Sequence, residues 1–185
     1  ALRARGFPTG EHVPLLRPAI AADLGLSYAR CGRLAEGLAH LDAAVEGATK
    51  MGRFSRLPLL LVKCGEIHLL AGERDEALGL ATTALRLATE QKERGNRVYA
   101  THLLAEIASQ REGASAEAER YYADALALAT ELGMRPLSAH CHAGLGRLYA
   151  RDGDAEKSAE HWTNALFMYR EMAMWFWVER LEKDE

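Results

Sequence analysis

The sequence predicts an all-α protein, a right-handed α-α superhelix of four helix pairs followed by a C-terminal capping helix. Three observations favour this solenoid fold. A pattern of small residues recurs about every forty positions along the 185-residue chain. Alanine and leucine are abundant, and both are strong helix formers. The five prolines leave the stretch from Leu59 to Arg135 free, so that long helices are not interrupted there.

The repeat is defined by an anchor position at residues 25, 65, 106 and 146, in steps of 40, 41 and 40. Glycine stands at three of these anchors, and Glu106 stands at the other. Every anchor is followed by a glycine after seven residues and by an alanine after nineteen. The anchor must be small so that the second helix of the pair can approach closely. The glycine seven residues on ends the first helix, because only glycine takes the left-handed conformation cheaply.

This pattern predicts helices near residues 15–31, 34–51, 55–71, 74–93, 96–111, 115–132, 136–151, 154–172 and 174–183. Gly52, Gly95 and Gly133 are expected to end the second helices. The fourth pair has Ala173 instead, and alanine resists the left-handed conformation. That helix is therefore expected to run on or to turn by a different device.

The domain organisation follows from these elements. Residues 1–13 are expected to be a linker or the end of a preceding repeat. Residues 14–173 form four repeats, at about 14–52, 53–94, 95–133 and 134–173, and residues 174–185 form the capping helix.

The internal offsets resemble the tetratricopeptide repeat, whose pattern is W-x2-L-G-x2-Y, then alanine, then an aromatic residue. The best copy is the fourth, where Leu145, Gly146 and Tyr149 have the pattern spacing. The third copy is the poorest, since Glu106 and Ser109 replace the glycine and the tyrosine. The period is about six residues longer than the usual 34, and the terminal proline of the pattern is absent.

The chain is also similar to the C-terminal tetratricopeptide region of large bacterial multidomain signalling proteins. The similarity is carried by residues 131–142 and 168–172 and by Phe176-Trp177. In those proteins a nucleotide cyclase and an AAA-like ATPase typically precede this region, and related helical regions occur in ATP-dependent transcription activators. The resemblance implies a regulatory or scaffold module that is covalently linked to further domains. The ATP-binding motif G-x-x-x-x-G-K-[ST] is absent from the sequence, so catalysis is not carried over.

Charge and hydropathy narrow the class of partner. The formal net charge is −3 and no block of lysines or arginines occurs, so a direct nucleic-acid partner is not expected. The longest apolar run, Leu57 to Val62, is too short to span a bilayer, and no secretory signal is visible. The three cysteines lack metal-site spacing and are expected to be buried, reduced thiols. We therefore expect a cytoplasmic protein with no membrane partner.

His140-Cys141-His142 is the most suggestive metal motif. Histidines at i and i+2 of a helix point apart by about 200°, whereas a helical zinc pair needs i and i+4. We expect no metal or other cofactor, with His142 packed and His140 facing the groove. The carboxylates of residues 73–76 and 117–119 stand at helix starts, where they complement the helix dipole. No catalytic residue is assigned, and the protein is not expected to be an enzyme.

In the tetratricopeptide family, one face of each first helix lines a concave groove. Transferring those positions by the anchor gives groove candidates Leu26, Arg30, Leu59, Val62, Glu66, Leu69, Leu70, Leu103, Ile107, Arg111, His140, Arg147 and Arg151. The groove is expected to be apolar over three units and to end in a cluster of Arg111, Arg147 and Arg151. Such a groove would bind an amphipathic helix or apolar segment of a protein, with its acidic end on the arginines. Alternatively, tight curvature buries these residues as core, or the N-terminal segment fills the groove.

The C-terminal aromatic residues have two interpretations. Trp177 and Leu181 are one helical turn apart and could cap the last helix pair, as terminal repeats require. Alternatively, Trp175, Trp177 and Leu181 could form a dimer interface, where tryptophan is enriched. Self-association is therefore one alternative function. The other is a small-effector-binding regulatory domain of an ATP-dependent transcription activator.

Overall fold

The computed structural model describes residues 17–50 and 57–184, and within these ranges the chain forms helices and turns only. The all-α class is thus confirmed. The expected linker over residues 1–13 and the expected helix end at Gly52 lie outside the described residues. The helices are α1 Arg17–Arg30, α2 Leu34–Lys50, α3 Leu57–Leu70, α4 Arg74–Glu90, α5 Arg94–Ser109, α6 Ser115–Glu131, α7 Arg135–Asp152, α8 Ala155–Glu171 and α9 Trp175–Asp184.

The helices pack mainly on their neighbours in sequence. The strongest contacts join α1 to α2, α3 to α4, α5 to α6 and α7 to α8, and each even helix also packs on the next odd one. In addition, α1 contacts α3, α3 contacts α5, and α5 contacts α7. Helices α1, α3, α5 and α7 therefore lie side by side in one layer.

Small residues let the two helices of a pair come close. A Cβ atom on Gly25 would lie 2.8 Å from the carbonyl oxygen of Gly37, and one on Gly146 would lie 2.6 Å from Nε1 of Trp162. The alanines nineteen residues after the anchors are buried in all four pairs, with at most 1% of their surface exposed. Gly25 and Gly146 thus serve the close approach that the repeat predicts.

Left-handed residues end the helices, but not always at glycine. Gly32, Gly72 and Gly153 have φ of 81°, 83° and 85°, as the repeat predicts. The prediction that Gly95 ends α4 is wrong, because α4 ends at Glu90 and the left-handed residue is Lys92, with φ 57°.

Ala173 also takes the left-handed conformation, with φ 54°, so α8 does not run on. The same turn forms as at Gly133. The Met174 N–H donates to the Tyr169 carbonyl at 2.9 Å, as the Met134 N–H donates to the Ala129 carbonyl at 2.8 Å. This hydrogen-bonded turn satisfies the last carbonyls of the helix and imposes the conformation that alanine disfavours.

The cysteines are only partly as expected. Cys64 and Cys141 are buried, and burial raises the pKa of the Cys141 thiol to about 12. Cys31 is exposed, so the prediction that it is buried is wrong. It lies just beyond the end of α1, where the chain turns towards α2.

Candidate functional site

The odd-numbered helices surround a cavity of about 540 Å³. Nearly all of its lining comes from α1, α3, α5, α7 and α9, and Tyr169 of α8 completes it. Nine of the predicted groove residues line this cavity, namely Leu26, Arg30, Leu59, Glu66, Leu69, Leu70, Leu103, His140 and Arg147. The layer of odd helices thus brings together residues that are far apart in sequence.

Two of the remaining candidates belong to the core. Val62 is 1% exposed and Ile107 is 3% exposed, and both pack in one cluster with Ala77, Ala81 and Ala100. Neither residue lines the cavity, so their assignment to the groove is wrong. At these two positions the helices bury the residue as core, which is the alternative that the sequence left open.

Arg111 and Arg151 do not line the cavity. The Arg111 guanidinium is paired with Glu117 near the start of α6. The Arg151 guanidinium donates to the Ser115 hydroxyl at 3.1 Å. The predicted cluster of three arginines is thus not formed, and only Arg147 of the three lines the cavity.

The cavity is also less apolar than expected, because three ion pairs line it. Lys63 pairs with Asp23, and Arg30 lies 2.7 Å from Glu66. The third pair joins Arg147 to Glu106 at 3.4 Å. Leucines lie between these pairs, namely Leu26, Leu59, Leu69, Leu70 and Leu103. The prediction of an apolar groove over the first three units is therefore wrong.

Glu106 is one of three acidic residues that line the cavity. Its carboxylate accepts a hydrogen bond of 2.7 Å from the Tyr122 hydroxyl, and Nε2 of His102 lies 3.8 Å away. Burial pushes the pKa of Glu106 upward, but the charges of His102 and Arg147 and the Tyr122 hydrogen bond outweigh it, so the pKa is lowered. The residue that breaks the glycine pattern at the third anchor therefore holds a negative charge inside the cavity.

His140 faces the cavity as a neutral ring. Its Nδ1 lies 2.6 Å from the Tyr169 hydroxyl, and its ring packs edge-on against Trp177 with centroids 4.5 Å apart. Burial, together with the charges of His102, Arg30 and Arg147, lowers the pKa of His140 to about 3. His142 points elsewhere and meets His161 of α8, with 2.8 Å between their Nδ1 atoms. Among the described residues, no group of three or more potential ligands could hold a metal ion.

At Glu66, in contrast to Glu106, burial outweighs the neighbouring positive charge, and the net shift of the pKa is upward. Desolvation raises the pKa of Glu66, although the nearby charge of Arg30 favours the ionised form. The charge of Arg30 offsets the cost of burying the ionised carboxylate, because a buried charge without a partner is unfavourable. The two side chains therefore hold each other in place across α1 and α3.

The residues of α9 divide between packing and exposure. Val178 and Leu181 are buried, and they pack against α7 and α8. Trp177 lies on the same side and also lines the cavity. Trp175 and Phe176 are 60% and 57% exposed. Trp175 is thus not part of the packed face that covers the last helix pair.

Sequence reasoning missed eight of the lining residues: Asp23, Lys63, Tyr99, His102, Glu106, Leu137, Tyr169 and Arg180. Two of them had a signal. Glu106 replaces glycine at the third anchor, and such a departure from the repeat indicates a position where function should be sought. Arg180 follows the groove residue His140 by forty positions, so extending the repeat into α9 would have found it. Whether the other residues line the cavity depends on how neighbouring helices are rotated relative to one another.

No model of a known protein family matches this chain, and no curated protein sequence matches it. Within the part of the chain that the structure describes, no helix combines the length and apolarity needed to cross a bilayer. The likeness to tetratricopeptide repeats rests on the internal spacing of the sequence alone.

Proposed function

We propose that the chain is a right-handed solenoid of tetratricopeptide-like helix pairs, and that it is a non-catalytic interaction module of a cytoplasmic signalling or regulatory protein. In this proposal the cavity binds a segment of a partner protein. The observation that carries it is the composition of the cavity wall, to which every odd-numbered helix contributes. A surface built from one face of each successive pair is typical of repeat proteins that bind extended partners.

The lining indicates what kind of segment fits. A volume of about 540 Å³ lies within the roughly 300–1,000 Å³ of ligand pockets and holds a few side chains rather than a long helix. Leucines offer apolar contacts, and Arg147 and Arg180 contribute positive charge to the lining. The proposed partner is therefore a short segment with apolar side chains and one acidic group.

Peptides selected from a phage-displayed random library against the whole chain test this proposal. Their affinities are then measured by fluorescence anisotropy for the wild type and for Arg147→Glu, which reverses a charge in the cavity. We expect the reversal to weaken binding about tenfold or more, the loss typical of a charged contact at a recognition site. Arg120→Glu is the matched control, since Arg120 is exposed on α6 and does not line the cavity.

Two results would count against the proposal. One is a failure to enrich any peptide. The other is an enriched set that binds Arg147→Glu as tightly as it binds the wild type.

A small-effector-binding function is the second candidate, and the cavity volume favours it. The pocket combines aromatic rings of Tyr99, Tyr169 and Trp177 with charged groups of both signs, a mixture typical of small-molecule sites. A thermal-shift screen with a metabolite panel tests this candidate. A rise in melting temperature that Arg147→Glu abolishes would favour it over peptide binding. No shift with any compound would count against it.

A further inference from the structure

The first and last helices of the described chain meet across the cavity. The guanidinium of Arg30, at the end of α1, lies over the indole ring of Trp177 on α9, 5.1 Å from the ring centroid. The helices α1 and α9 are not among the helix pairs with extensive backbone contact. The two ends of the array are thus bridged by side chains.

Both partners of this bridge are held by other helices. Trp177 packs edge-on against His140 of α7 and stacks with Tyr169 of α8 at 6.3 Å between centroids. Arg30 donates to the carboxylate of Glu66 on α3 at 2.7 Å. The contact therefore joins two groups that are already oriented, and little side-chain freedom is lost in forming it.

We propose that Arg30 and Trp177 form a clasp that closes the cavity between α1 and α9, and that access to the cavity is controlled by opening it. A guanidinium over an indole face is among the stronger cation–π pairs, yet it stays weak at a partly exposed site. Such a contact biases the array towards the closed form without locking it. The role of the clasp in controlling access to the cavity rests on the proposed function. The contact between α1 and α9 itself does not.

The distance between α1 and α9 tests the clasp without any ligand. Spin labels are attached at Cys31, the exposed native cysteine next to Arg30, and at Lys183→Cys on the exposed face of α9. Cys64 and Cys141 are buried and stay unlabelled in the folded chain. Pulsed electron–electron double resonance then gives the distribution of distances between the two labels.

Arg30→Gln is expected to raise the population of long distances about two- to five-fold, since losing a cation–π contact changes an equilibrium by that factor. Arg180→Gln is the matched control. Arg180 also lies over Trp177, at 5.9 Å, but it belongs to α9 itself and cannot bridge the two ends. A wild-type distribution in Arg30→Gln, or equal changes in both variants, would overturn the clasp.

Two further variants separate the indole contact from the ion pair. Trp177→Leu should reproduce the effect of Arg30→Gln, with α9 still held by Val178 and Leu181 and its helicity checked by circular dichroism. Glu66→Gln should change the distances less. If Glu66→Gln reproduced Arg30→Gln in full, Arg30 would act through the ion pair and the clasp would fail. If selected peptides bound while the distances never changed, the proposed function would stand without the clasp.

Discussion

Replacing Gly146 by alanine tests the close approach of α7 and α8 on which the repeat depends. A Cβ atom at this position would lie 2.6 Å from Nε1 of Trp162. That distance is shorter than real Cβ contacts, so the indole or the helices must move. Trp162 is partly buried and packs against the cluster of Tyr169 and Ala165, so moving its ring disturbs these contacts.

The magnitude follows from two opposing effects. Alanine in a helix interior is favoured over glycine by about 1 kcal/mol. Overpacking a filled core costs about 1–3 kcal/mol. Gly79 on α4 supplies the control, since nothing lies within 4 Å of a Cβ placed there. We expect Gly79→Ala to raise the free energy of unfolding by about 1 kcal/mol. The free energy of unfolding of Gly146→Ala should be about 1–3 kcal/mol lower than that of Gly79→Ala.

Urea unfolding followed by circular dichroism measures both free energies of unfolding. The same pair of variants is then compared in a Trp162→Leu background, where the smaller side chain should remove most of the penalty at Gly146. Equal stabilisation by Gly146→Ala and Gly79→Ala in the wild-type background would refute the reasoning.

Three further predictions use the same structure. Lys92→Gly should stabilise the protein by about 1 kcal/mol, and Gly133→Ala should destabilise it similarly, because both positions are left-handed; urea unfolding would contradict this if both changes had the same sign. His140 should stay neutral in nitrogen NMR spectra down to about pH 3. The same histidine in the unfolded chain binds a proton near pH 6.5. The free energy of unfolding should therefore fall as the pH drops from about 6.5 to about 3. Cys31 should react with a thiol reagent in the native protein, while Cys64 should react only after unfolding.

The helix pairs could be predicted from the repeat spacing. A small residue at an anchor such as Gly146 indicates a place where two helices approach closely. The turn at Lys92 could not be predicted from the spacing. A left-handed lysine is unfavourable, and only the hydrogen bonds of the finished turn, such as the Glu93 N–H to the Ala88 carbonyl at 2.8 Å, impose it. Local preference therefore pointed to Gly95, which lies inside α5.

The site was predicted less completely than the fold. Arg111 was placed on the groove face by extending α5 to residue 111, but α5 ends at Ser109 and Arg111 lies beyond it. Ile107 was transferred correctly by position, yet packing on α4 residues such as Ala77 and Ala81 buries it. The exposed fraction of a residue depends on how far each pair rotates on the next. The repeat spacing does not determine that rotation.

Hydrogen exchange of the backbone amides, with and without an enriched peptide, tests the proposed binding surface most directly. The account predicts slower exchange in the segments that line the cavity, in α1, α3, α5, α7 and α9, with α2, α4 and α6 unchanged. Protection confined to the even-numbered helices, or absent from α5 and α7, would contradict the assignment of the cavity as the binding surface.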